Sequence, residues 1–261
     1  MTRRRWIADE FSADHAALTG AHAAHLARTL RARVGQEFEM ACGDLVRLAT
    51  VTRVADDRVE FALGEEVQAE VVVPITLLLA VFKFDRMEWA IEKCTELNVT
   101  TIVPVIACRT GKHLAQAAEK RVERWRRIAR EASEQSRRSA PPEITAPRKL
   151  DAALHYYARD KKDVSSRPRS EATTGGTCCL PEVAICLVLA EAERAVMLAD
   201  ILRSHEQPQS LILAVGPEGG WTPEELQMFA SAQFTSCSLG ETILRAETAA
   251  IAALAIARAE T

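Results

Sequence analysis

The chain has 261 residues, is 48% hydrophobic and 26% charged, and carries a net charge of −3. That length allows one large domain or two modest ones with full cores, and the mildly acidic balance argues against general affinity for polyanions, so any nucleic-acid surface must come from local clustering. Seven cysteines without a C-x-x-C spacing argue against structural zinc and fit free thiols in a reducing cytoplasm. Met1-Thr-Arg-Arg-Arg-Trp6 has no apolar core behind its charges, and the longest apolar stretch, about 14 residues, is too short to span a bilayer. A soluble chain is expected, with no membrane partner and no metal.

Residues 1–73 read as a small β domain. A helical piece with His22, His25, Leu26 and Leu30 precedes β-like runs at 37–42, 45–54, 59–63 and 69–73, separated by Gly35, Gly43-Asp44, Asp56-Asp57 and Gly64. Short strands at such spacing predict a barrel. Pro74 is the natural boundary, and residues 74–261 form the second domain. Ile75 to Phe82 reads as its first strand, followed by a helix over Met87–Leu97 with Trp89, Ile91, Cys94 and Leu97 on a helical period, then a strand over Thr101–Ile106.

From Glu119 to Arg138 a helix carries eight bases against four acids, with Val122, Trp125, Ile128, Ala129 and Ala132 as its packing face. Clustered bases bind phosphates and release counterions, whereas i,i+4 pairs such as Glu123–Arg127 would make the same helix a solvated surface; both readings stay open. Residues 159–180 are polar and aperiodic, as in a flexible insertion. Val183–Leu189 resumes the sheet, a helix follows over Arg194–Arg203, and the last helix, Glu247–Arg258, is apolar almost all round, which demands burial on most sides or a two-fold interface.

Two stretches organise the second domain. In the first, the apolar strand Leu211–Val215 breaks at Gly216-Pro217, Gly219-Gly220 keeps a turn bare for a ligand, and Thr222-Pro-Glu-Glu225 has the form of a capping box. Strand, glycine turn and helix start together make a notch at the C-terminal end of a strand, where open α/β sheets bind ligands. No G-x-x-x-x-G-K-[ST] or G-x-G-x-x-G occurs, so the P-loop and dinucleotide readings lose their main support. The second stretch is Leu239-Gly-Glu-Thr-Ile-Leu-Arg-Ala-Glu-Thr-Ala249.

At this separation the pair closely resembles the SPOUT superfamily of methyltransferases, and within it the ribosomal RNA small subunit methyltransferase E family, whose loops read GPEGG and LG-x-x-ILR-x-ETA. Lys93, Thr95, Glu96, Leu97, Val99, Ile102 and Pro104 match the family's K-x-TEL-x-V-x-x-I-x-P run. The resemblance implies an α/β fold: a SPOUT-type knotted parallel-sheet domain behind a PUA-like RNA-binding barrel. It implies S-adenosyl-L-methionine held by Leu189, Glu191, Val215, Gly216, Glu218, Gly219, Gly220, Leu239, Gly240, Ile243, Leu244, Glu247 and Thr248. It further implies RNA contacts from Arg4, Arg5, His25, Arg31, Arg137 and Arg138, a homodimer, and methylation of a uridine N3 in small-subunit (16S) rRNA or the ribosomal subunit. The sequence departs from the family's pattern at Ser136, Ala190 and Thr242.

Loss of the N3 proton leaves a uracil anion, and a cation beside it would stabilise that charge. Arg245, between the second loop and the last helix, is the first candidate. A non-catalytic RNA-binding assembly factor with the same fold is the competing reading, and a knotted enzyme acting on tRNA is a third.

Overall fold

The computed structural model describes residues 5–43, 45–67, 72–136, 138–163, 184–205 and 208–261. The chain divides into two compact units, Met1–Val71 with Ala129–Pro141, and Val72–Ile128 with Pro142–Thr261. Arg4, Arg137 and most of the expected 159–180 insertion lie outside the described residues, as do residues 69–71 of the expected fourth β run.

In the first unit, β1 (Arg5–Ile7), β2 (Glu10–Phe11), β3 (His15–Thr19), β4 (Glu37–Cys42), β5 (Leu45–Val54) and β6 (Arg58–Val67) form one sheet in the order β1-β4-β5-β6-β3-β2. The first three strands were not legible in the sequence, whereas the runs at 37–42 and 45–54 are strands over those bounds. Residues 72 and 73, expected to close the β series, are not in a strand. The two edge strands are consecutive in the chain: Ala8 donates to the Ala41 carbonyl and its neighbour Asp9 to that of Ala17, at 2.9 and 3.0 Å. Trp6, Leu18, Leu26, Phe38, Met40 and Phe61 fill the interior.

A charged network also belongs to this unit. Arg130 Nη2 donates to Asp9 Oδ1 at 2.7 Å and to the Ile7 carbonyl at 3.2 Å, while its Nε reaches Glu134 Oε1 at 3.4 Å. The His22 ring nitrogens stand 3.5 Å from Asp9 and from Glu134. Burial pushes the Glu134 carboxyl up from its ordinary value, against the opposing pull of His22 and Arg130.

The second unit is built on β7 (Ile75–Ala80), β8 (Thr101–Ile106), β9 (Glu143–Ile144), β10 (Arg148–Lys149), β11 (Ala184–Leu189), β12 (Ser210–Val215) and β13 (Thr235–Cys237). They lie in the order β10-β8-β7-β12-β11-β13, with β9 also on β8, and every pairing is parallel. All six residues of β7 and of β12 are buried. That explains their unbroken apolar sequence: a parallel strand covered on both faces has no polar side to show.

The helices of this unit include α2 (Phe84–Glu96), α5 (Leu150–Asp163), α6 (Leu198–Ser204), α7 (Pro223–Ser231) and α8 (Ala246–Glu260), while α4 (Val122–Gln135) begins in this unit and ends in the first. On α2 the buried stripe is Met87, Ala90, Ile91 and Cys94; Trp89 falls off that stripe and is 47% exposed, contrary to expectation. The helix expected from Arg194 starts only at Leu198. Helix α8 packs on α2 and α6, but Ala255 is exposed and Ile251, Ala252 and Ile256 are half-buried, so within one chain it is covered on one side only.

The C-terminal turn of α8 is anchored by Arg258, which donates to the carbonyls of Leu97 at 3.2 Å and Val73 at 2.5 Å, and to that of Asn98. Burial lowers its pKa to about 10, so it remains a cation in neutral solution. Arg258→Ala orphans three carbonyls and is expected to lower the unfolding free energy by roughly 3 kcal/mol, read by urea denaturation; a loss of a few tenths would contradict the anchor. Because the Glu134 pKa is raised in the fold, the native state binds the extra proton, and this group's contribution to stability falls as pH rises from the ordinary 4.5 through the raised value. Stability of Glu134→Gln should therefore fall less steeply than the native chain's over that window.

Candidate active site

The first functional stretch folds as its chemistry dictates. Strand β12 stops at Gly216-Pro217, and the Gly220 amide donates to the Pro217 carbonyl at 2.8 Å, closing the turn. Helix α7 opens with a complete capping box: Thr222 Oγ1 accepts from the Glu225 amide at 3.2 Å, and Glu225 Oε2 from the Thr222 amide at 2.9 Å. Glu225 is buried, and its Oε1 accepts the Cys108 amide at 2.7 Å, tying the helix start to the loop after β8. Arg109 of that loop donates to the Gly219 carbonyl, and Arg86 donates to Glu218 at 3.1 Å.

The glycines of the turn make room chiefly for the protein's own side chains. A Cβ on Gly216 would stand 3.2 Å from Trp221 Nε1, and one on Gly219 3.2 Å from Arg109 Cδ. Gly220 has φ +68°, which disfavours side chains, and a Cβ there would meet the Glu191 carboxylate carbon at 3.3 Å. The Gly219-Gly220 pair, read as keeping the turn bare for a ligand, is thus also crowded by the protein's own Arg109 and Glu191.

Across the turn lies the loop after β13. Ser238 Oγ accepts the Gly240 amide at 3.2 Å and donates to the Gly240 carbonyl at 3.1 Å, while the Ser238 backbone bonds to Val196 and Leu198. Between the loops is a cavity of about 350 Å³. Of the residues expected there, Leu189, Glu191, Val215, Gly216, Glu218, Gly220, Leu239, Gly240, Ile243 and Leu244 line it. Gly219, Arg245, Glu247 and Thr248 do not. In α8 the lining residues are Ala246 and Ala249, three apart and so on one helix face, which turns 247 and 248 away. Arg245 is the exposed N-cap residue of α8, and its guanidinium has no hydrogen-bond or ion-pair partner among the described residues. Glu247 is buried beside Arg86.

The sequence reading missed Arg109, Arg194, Trp221, Ser238, Glu241 and Thr242 as cavity residues. Arg109 was findable, because it follows the C-terminal end of a parallel strand. The wall carries three carboxylates (Glu191, Glu218, Glu241) and two guanidiniums among apolar side chains. Cys237 also lines it, but burial, aided by Glu193, pushes its thiol up to about 12, so it is a neutral group and no nucleophile.

The basic helix is largely engaged by the protein itself. Arg124 makes a two-pronged pair with Glu88 at 2.6 and 2.8 Å, and Arg126 binds Glu123 at 2.6 Å and the Ile144 carbonyl. Among the expected RNA-contacting residues, Arg5 pairs with Glu39 at 2.9 Å and Arg138 donates to the Ala140 carbonyl at 3.2 Å. His25 and Arg31 are exposed, with His25 beside the Trp6 ring.

This parallel α/β unit, with a cavity at the ends of its strands, matches the RNA methyltransferase domain over residues 69–258. The chain belongs to that family, and within it to the ribosomal RNA small subunit methyltransferase E family. It is 32% identical over 239 residues to that enzyme of Synechocystis sp., across 91% of this chain and 71% of the relative. To the Rickettsia conorii enzyme it is 30% identical, across 95% and 88%. Its fold is similar to the Neisseria gonorrhoeae enzyme solved with S-adenosyl methionine bound, with TM-score 0.76, 29% identity and coverage of 97% and 96%. A methyltransferase of Legionella pneumophila in complex with the same cofactor gives TM-score 0.76 at 26% identity, covering 99% and 98%.

Since Gly216 abuts the buried Trp221 ring, Gly216→Ala should force that ring to move, costing about 1–3 kcal/mol and shifting tryptophan emission. A variant with native stability and spectrum would show that the indole yields freely.

Proposed function

We propose that this chain is an S-adenosyl-L-methionine-dependent methyltransferase that acts in the cytoplasm on the N3 of a uridine in small-subunit rRNA. The observation that carries this reading is the cavity at the ends of β11, β12 and β13, lined by both signature stretches in a member of this family. Its size and donor set fit the cofactor. Carboxylates of Glu191 and Glu241 suit a cationic sulfonium and ammonium, Arg109 or Arg194 a carboxylate, and Leu189, Val215, Leu239, Ile243 and Leu244 an adenine. When bound, S-adenosylmethionine supplies an electrophilic methyl group.

The protein's part is positioning and electrostatics. The clamped turn and the 238–240 loop hold the pocket walls, and the apolar lining excludes water. Arg245, exposed at the start of α8 and with no side-chain partner among the described residues, is free to meet the developing charge on a uracil anion from outside the cavity. RNA would be held by Arg4, Arg5, His25, Arg31, Arg137 and Arg138, the first unit acting as a PUA-like barrel. The two cofactor loops would form the superfamily's knot. A homodimer is supported by the uncovered side of α8 and by exposed Ile243 and Trp89, 72% and 47% accessible.

Calorimetric titration with S-adenosylmethionine should give micromolar binding that Gly220→Trp abolishes. Reverse transcription of small-subunit rRNA treated with protein and cofactor should then stop at one uridine, because an N3 methyl blocks its pairing face. Arg245→Ala should lower kcat by roughly a hundredfold with cofactor affinity unchanged. RNA binding without cofactor binding would return the chain to the assembly-factor reading.

A further inference from the structure

Arg86 joins two parts of the cavity without forming any of its wall. It lies in the first turn of α2; its Nη1 donates to Glu218 Oε1 at 3.1 Å, and its Nε stands 3.7 Å from Glu247 Oε1. Glu218 belongs to the glycine turn and lines the cavity. Glu247 belongs to the first turn of α8, whose Ala246 and Ala249 line the same cavity. One guanidinium therefore spans the two signature stretches.

The two partners are not equivalent. Glu247 is 5% exposed, and its Oε2 has no hydrogen-bond partner among the described residues. A carboxylate so buried persists only with a compensating charge, which Arg86 and the N-terminal end of α8 supply. The Glu218 side chain is 43% exposed, and an ion pair at such a site is ordinarily weak. Here its cation is already oriented by the buried partner, so less freedom is lost when Glu218 docks. The buried glutamate fixes the arginine, and the arginine fixes the turn.

We propose that Arg86 is a positioning residue that sets cofactor affinity by holding the glycine turn at a defined distance from the start of α8. Glu218 then serves the turn rather than the ligand. The inference rests on the S-adenosylmethionine reading above and adds to it a residue outside the pocket. Preorganising a pocket raises affinity by removing the cost of ordering it on binding.

The test is cofactor titration and steady-state kinetics on the native chain, Arg86→Ala, Glu218→Ala and the double variant. Each single change should weaken cofactor binding roughly tenfold, the double change no further, with KM for the cofactor raised more than kcat is lowered. Arg86→Lys should recover part of the loss. If Arg86→Ala does not fold, R86Q/E247Q removes the buried charge with its partner and should still bind weakly while unfolding near the native midpoint. Binding within about twofold of native by Arg86→Ala, or by R86Q/E247Q in its place, overturns the inference and leaves the cofactor reading intact, as do additive losses. A native chain that binds no cofactor overturns both, so the two failures are distinguishable.

Discussion

Two segments of the second unit meet at the carboxylate of Glu225. It completes the cap of α7 through the Thr222 amide and, with its other oxygen, accepts the Cys108 amide from the loop after β8. A buried carboxylate is costly unless both oxygens are satisfied, and here both are bonded to backbone donors at a helix N-terminus, whose dipole also favours the charge. The turn between β12 and α7 is thereby set before any ligand arrives. Its glycines follow from the same constraint: Trp221, Arg109 and Glu191 crowd the turn, and a Cβ on Gly216, Gly219 or Gly220 would press on them.

The cavity beside this turn is where the parallel sheet has to place one. Strands β7 and β12 are buried on both faces, so no ligand reaches the middle of the sheet; its strand ends are the open ground. Opposed charges on the wall, set among aliphatic side chains, suit a small zwitterionic or cationic ligand better than a polyphosphate. Membership of the ribosomal RNA small subunit methyltransferase E family agrees with that chemistry. Arg86 and Arg258 act at either end of the same helical layer: one ties the start of α8 to the glycine turn, the other ties its last turn to Val73, Leu97 and Asn98.

The basic helix shows what a charge count leaves undecided. An excess of arginines left a phosphate-binding surface and a self-paired helix both open, and Arg124, Arg126 and Arg130 are engaged with Glu88, Glu123, the Ile144 carbonyl and Asp9. Two of these acidic partners, Glu88 on α2 and Asp9 between β1 and β2, are far away in sequence, so no window along the chain reveals that part of the neutralisation. His25, Arg31 and Arg245 are exposed instead.

By itself the sequence determined the elements whose signals are local. Unbroken apolar runs marked β7, β8 and β12, a Thr-Pro-Glu-Glu run marked the cap of α7, and the two signature stretches marked most of the cavity wall. Short strands such as β1 and β2 escaped it, because two or three residues carry no periodicity and are held by pairing with distant strands. Tertiary structure alone decided the side-chain destinations: that Trp89 lies outside the buried stripe, that Glu247 is buried against Arg86 rather than lining the cavity, and that Arg194 joins the wall. Those outcomes depend on which segments the sheet order brings together, and that order is set by packing between residues far apart in the chain.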